Sequence, residues 1–194
     1  MKIRKLIVPL LALALVTVGA AHLFAAITES SGDVPRAIPD NGSVNSTLNF
    51  SVNSTIGDAN LTVSIAHTWN ADLRLTLSSP TVAPQILWQN CGGTSDNLTN
   101  TVLDNDAASL STCMFSGAPF TGSFQPTDGQ TNANPTPIAA SGSMNAFDAT
   151  MSGGVWTLNV ADDSPICVGT LTAWSVTIDP TPPWPVELMN YEID

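Results

Sequence analysis

The run His67-Thr68-Trp69-Asn70-Ala71-Asp72-Leu73-Arg74-Leu75-Thr76-Leu77-Ser78-Ser79-Pro80 decides the fold. Leu73, Leu75 and Leu77 alternate with polar partners. Successive side chains of an extended strand point to opposite faces, so this is a strand with one buried and one wet face. The same period recurs on both sides. Leu61, Val63 and Ile65 repeat it within 60–66, and 47–53 alternates as well. Residues 85–89 add a short apolar strand, Trp156, Leu158 and Val160 share one face of another, and Trp174, Val176 and Ile178 do the same near the end. Beyond the N-terminal segment no stretch has a helical period, and Gly, Pro, Asn and Asp punctuate the runs, so the domain reads as all-β. Such a chain manages its unpaired edges most readily as two sheets packed face to face.

With 194 residues and 43% hydrophobic content, the chain has enough material for one well-buried domain and little for two. Only 11% of residues are charged, and three of the five basic ones, Lys2, Arg4 and Lys5, sit at the extreme N-terminus. Arg36 and Arg74 are left against sixteen carboxylates. A body of that charge repels phosphate backbones, which argues against a nucleic-acid partner and makes multivalent cations the natural counter-species.

Residues 1–26 read as a secretory signal peptide: a basic start, an apolar stretch from Leu6 to Val18, then small residues, with cleavage expected after Ala20 or Ala25. The rival is an uncleaved membrane anchor, since the apolar stretch can span a bilayer; Pro9 and His22 argue against it. Either way the domain lies outside the cytoplasm, secreted or at the cell surface. Residues 27–36 read as a polar linker, 37–179 as the domain, and 180–194 as a Pro-rich tail. An oxidising exterior favours a disulfide. Cys91 and Cys113 bracket an acidic loop and are the expected pair, leaving Cys167 over, although three cysteines permit any of three pairings.

Ordered motifs supply a second line of reasoning. Ile38-Pro39-Asp40-Asn41, the run from His67 to Pro80, Leu103-Asp104-Asn105-Asp106-Ala107, Phe124-Gln125-Pro126, Gly154-Val155-Trp156-Thr157-Leu158 and Gly169-Thr170-Leu171-Thr172-Ala173-Trp174 follow one another in that order. Together they resemble the P domain, or Homo B domain, that follows the catalytic domain of kexin- and furin-like subtilisin-type serine endopeptidases. The resemblance spans about residues 37–179 and implies a jelly-roll β-sandwich of the galactose-binding-like class. It also implies a non-catalytic module that packs against and stabilises a protease domain.

The chemistry-bearing residues fit that picture. His67 is the one histidine beyond the N-terminal segment. A protease needs a base beside a nucleophile and an orienting acid, and His67 reads instead as a ring packed and hydrogen-bonded near Asp72. Gly92-Gly93-Thr94-Ser95 lacks the strand and helix that would present a nucleophilic serine and reads as a polar turn. Trp156 and Trp174, at motif positions, are expected in the core, and Trp69 in core or loop packing. Trp88 and Trp184 are the two free to form surface platforms for a sugar. Asp40, Asp72, Asp104, Asp106, Asp162 and Asp163 fall at strand ends or in turns, where hard cations find carboxylates beside carbonyls. Asp40, Asp72, Asp104, Asp106 and Asp163 are the candidate calcium ligands, with Asp72 foremost. The expectation is a secreted accessory or interaction module with a protein partner, possessing no catalysis of its own. Membership of a serine endopeptidase system, and a surface adhesin or carbohydrate-binding role, are the alternatives.

Overall fold

The computed structural model describes residues 25–111, 113, 120–130 and 137–181. Residues 1–24 of the expected signal segment and the tail beyond 181, with Trp184, lie outside them. In chain order the strands are β1 (Ile27–Ser30), β2 (Arg36–Ile38), β3 (Ser43–Phe50), β4 (Ile56–His67), β5 (Leu73–Ser78), β6 (Gln85–Gln89), β7 (Leu98–Leu103), β8 (Phe120–Phe124), β9 (Thr127–Asp128), β10 (Ile138–Ala139), β11 (Gly154–Asp162) and β12 (Gly169–Pro180). Two short 3-10 turns, Asn70–Asp72 and Met144–Phe147, complete the set.

They form two six-stranded sheets. One runs β1-β12-β4-β7-β8, with β2 also paired to β12; the other runs β10-β9-β6-β5-β11-β3. The chain crosses between sheets from β2 to β3, β3 to β4, β4 to β5, β6 to β7, β8 to β9 and β11 to β12, giving the jelly-roll sandwich. Pairing is antiparallel except for β6 with β9 and β7 with β8.

Alternation places the core. Along β4, Ile56, Ala59, Leu61, Val63, Ile65 and His67 are buried, and along β5 so are Leu73, Leu75 and Leu77. On β12 the buried residues Leu171 and Trp174 are three apart, a spacing that two-residue alternation forbids. A bulge resolves it: the register with β4 shifts between Leu171 and Ala173, and the extra residue, Thr172, donates its hydroxyl to the Ser64 carbonyl at 2.9 Å. Trp156 lies within the core, stacked on Phe147 with centroids 4.8 Å apart and tilted against Phe50 at 5.5 Å. Its indole N–H donates to the Ser152 carbonyl at 2.8 Å. The Trp174 indole donates to Ser46 Oγ at 2.7 Å, tying β12 to β3 in the opposite sheet.

Cys91 and Cys113 are joined by a disulfide, and Cys167 is a free thiol. Order begins earlier than the sequence suggests. Ile27–Ser30, within the expected linker, lies antiparallel to β12 from Ile27↔Ile178 to Ser30↔Ser175. Its short and largely polar alternation was too weak to be read as a strand. Among the described residues no helix is long and apolar enough to cross a membrane.

Candidate functional site

The sandwich has two chemically different poles. At one, β1 and β12 meet where the described chain begins and ends, and Thr181 N–H is bonded to the Thr55 carbonyl at 2.9 Å. Asp58, near the start of β4, faces Asp104 and Asp106 from the turn after β7. One carboxylate oxygen from each lies within 4.8 Å of the others, a group able to hold a metal ion. Asp104 accepts the Asp106 N–H at 2.7 Å, the aspartate turn that folds both carboxylates to one side. Asn105, between them, accepts from Ser143 Oγ at 3.1 Å and from Met144 N–H at 2.7 Å. That ties the turn to the segment carrying Asp148, whose Oδ1 is buried without a hydrogen-bond partner.

The charges there work against one another. Burial, then Asp104 and Asp106, push the Asp58 carboxyl up, while an Asn60 side-chain N–H bond at 2.8 Å pulls it back. Burial, then Asp58 and Asp106, push Asp148 up. Both arginines of the described residues are engaged elsewhere, Arg36 with Asp33 at 2.7 Å and Arg74 with Asp163 at 2.6 Å.

Of the candidate ligands read from the sequence, Asp104 and Asp106 come together; Asp40, Asp72 and Asp163 do not join them. Asp40 accepts the Ile166 N–H at 2.8 Å. Asp163 is held by Arg74 through two N–H bonds. Asp72 is buried beside Ser164, Asp162 and His67, and burial raises its pKa. Asp58 and Asp148 were missed. A signal existed for Asp58, because aspartate is disfavoured within a strand, here one whose buried face carries Ile56, Ala59, Leu61, Val63 and Ile65.

At the opposite pole His67 ends β4. Its Nε2 lies 3.2 Å from Asp162, and Nδ1 lies 3.1 Å from the Trp69 N–H and 3.0 Å from its carbonyl. The carboxylate on Nε2 is Asp162, at the end of β11, and Asp72 lies close enough to interact with the ring, as expected. The two side chains are inaccessible to solvent, so the ring cannot reach a substrate. Gly92–Ser95 is a turn closed by Ser95 N–H to the Gly92 carbonyl at 2.9 Å, as expected. Trp88 is not a surface platform: it is wholly buried in β6, between β5 and β9, edge-on to Phe120 at 5.6 Å. Trp69 is partly exposed instead, at the rim of a pocket of about 330 Å³ shared with Asp72, Ser164, Pro165, Ile166 and Cys167.

A search of curated proteins gives no match. Among solved structures the fold is similar to a serine protease of Aeromonas sobria, at 17% identity and a TM-score of 0.46, covering 80% of this chain and 27% of that one. It is also similar to the structure of that species' serine protease in complex with a chaperone, at 15% identity and a TM-score of 0.47, covering 82% of this chain and 28% of that one. The chain thus spans little more than a quarter of those chains. The family model for the proprotein convertase P-domain matches residues 56–178, from the first residue of β4 almost to the end of β12 and across both tryptophan motifs. This chain belongs to the proprotein convertase P-domain family.

Proposed function

We propose that the domain works outside the cytoplasm as a non-catalytic accessory module that docks on and stabilises a subtilisin-like serine endopeptidase domain. The supporting observation is how the motif residues are used. His67, Trp156 and Trp174 all serve the interior and the ties between sheets, which leaves the surface to make contacts. Adding the purified chain to a subtilisin-like protease domain from the same organism should lengthen the protease's half-life on heating; an unchanged half-life with no measurable binding would overturn this.

The acidic pole suits a calcium ion as a structural cofactor. Oxygen donors alone, mostly carboxylate, are the ligand set of a hard cation. The unpartnered Asp148 Oδ1 and the raised pKa values of Asp58 and Asp148 mark a cluster short of positive charge. Asp58, Asp104 and Asp106 would hold the ion, with Asp148 contributing to the field; the ion would supply charge neutralisation. A sugar-binding role loses its best-placed platform with the burial of Trp88.

A further inference from the structure

We propose that the loop pole around Trp69 and Ile166 is a docking face for a partner-protein segment that pairs an apolar side chain with lysine or arginine. This deepens the accessory-module reading and rests on it.

Three apolar side chains stand out at this pole: Ile166 is 90% exposed, Val168 65% and Trp69 39%. Trp69 and Ile166 line a concavity together with Pro165 and Cys167, and Val168 follows directly in the chain. Apolar surface left in water costs about 25 cal/mol per Å², and its clustering around a pocket marks a contact surface. The loops are also fixed in advance. Ile166 N–H is bonded to Asp40, Ser164 N–H to Asp162 Oδ1 at 3.1 Å, Asp163 N–H to the Asp72 carbonyl at 2.8 Å, and Asn70 N–H to the Ser95 carbonyl at 3.0 Å. A face ordered before contact loses little freedom on binding.

Charge selects the occupant. Asp40 and Asp96 are exposed on the loops around the patch, and Asp72 lines its pocket. Arg74, the cation of the neighbouring strand, is already bound to Asp163. Two copies meeting face to face would oppose these carboxylates, and like-charge juxtaposition is costly. The chain's own C-terminal residues carry the same sign through Glu187, Glu192 and Asp194, and β12 runs away from this pole, from Gly169 beside His67 to Pro180 beside Ile56. A cationic rim around an apolar anchor complements the face on both counts.

The test uses the isotopically labelled full chain, titrated with a synthetic peptide of about twelve residues carrying Leu and Phe flanked by Lys and Arg, and with the same peptide bearing Glu in place of the basic residues. Docking of the basic peptide should shift the Trp69 indole and the amides of 164–168, weaken between about 0.05 and 0.5 M salt, and fall about tenfold in Ile166→Asp but not in Val155→Asp. Equal binding of the acidic peptide, shifts elsewhere, or indifference to Ile166→Asp would overturn the proposal. So would a dimer in sedimentation that Ile166→Asp abolishes, which would assign the face to a second copy. The two readings separate with a subtilisin-like protease domain as the probe. Binding that Ile166→Asp leaves intact keeps the accessory role and removes this face. A protease domain that fails to bind while the basic peptide docks here keeps the face and removes the accessory role.

Discussion

The imidazole Nε2 of His67 lies 3.2 Å from an Asp162 carboxylate oxygen, and the pair bridges the two sheets, from the end of β4 in one to the end of β11 in the other. Both side chains are fully buried, so removing one leaves the other without its partner away from water. Asp162→Ala should cost about 3 kcal/mol in urea unfolding. His67→Ala should cost a similar amount and create no new activity to lose. A casein-hydrolysing preparation whose turnover disappears in His67→Ala while its circular dichroism persists would refute the structural role.

The tryptophans separate packing from hydrogen bonding. Trp156→Ala empties the site between Phe50 and Phe147 and should cost about 3–5 kcal/mol. Trp174→Phe keeps most of the apolar volume and removes the indole bond to Ser46, so about 1–2 kcal/mol is expected. Unfolding midpoints equal to that of the parent chain would remove both residues from the core.

Strands were legible wherever alternation was long: β4, β5, β11 and β12 each carry a periodic apolar face that only one side of a sheet can bury. β1 was not, because four residues hold too little period, and neither was the Thr172 bulge, which alternation by itself contradicts. The candidate metal site was half legible. Asp104 and Asp106 are neighbours in sequence, whereas Asp58 and Asp148 reach them only through sheet pairing and the Asn105 bonds. The burial of Trp88 has a related cause: a short apolar strand does not reveal which of its side chains the opposite sheet will cover, and Trp88 meets Phe120 of that sheet.

The disulfide closes a loop between residues separated by 22 positions. Restricting the unfolded chain by that length is worth about 3 kcal/mol, so reduction should lower the urea midpoint correspondingly. Peptide mapping without reductant should show Cys91 linked to Cys113 and Cys167 open to alkylation. Cys167 found in a linked peptide would overturn the pairing.

The pH profile should have two limbs. Burial opposes the charge on Asp33, but bonds from Ser31, Ser46, Arg36 and Thr47 outweigh it and hold its carboxyl well below the usual range. Its stabilisation is complete above the unfolded pKa of about 4 and is lost as pH falls further. Asp58, Asp72 and Asp148 are shifted up, so the folded state binds their protons more readily than the unfolded chain does. Stability from these three is greatest below about 4 and declines as pH rises through their raised values. Without divalent ions the chain should therefore be most stable in mildly acidic buffer. Asp33→Asn should erase the acid limb and Asp148→Asn should flatten the other. A midpoint that climbs steadily from pH 5 to about 8 would contradict the assignment.

Calcium should remove the part of that second limb that Asp58 and Asp148 contribute. An ion that binds only the folded chain adds RT ln(1 + [L]/Kd), about 2.7 kcal/mol at about a hundredfold excess over Kd, which amounts to several degrees in Tm for a domain of this size. Magnesium should add less, because it gives up its water reluctantly. Asp58→Asn and Asp106→Asn should each abolish most of the gain, since both supply oxygens to the cluster. Asp72→Asn should leave it intact, because Asp72 sits at the other pole with His67 and Ser164. Asp148→Asn is the most telling variant: removing a repelling carboxylate should raise Tm in chelator and narrow the difference that calcium makes. Superimposable melting curves in calcium and in chelator would reduce the four aspartates to a cluster of mutually repelling surface charges.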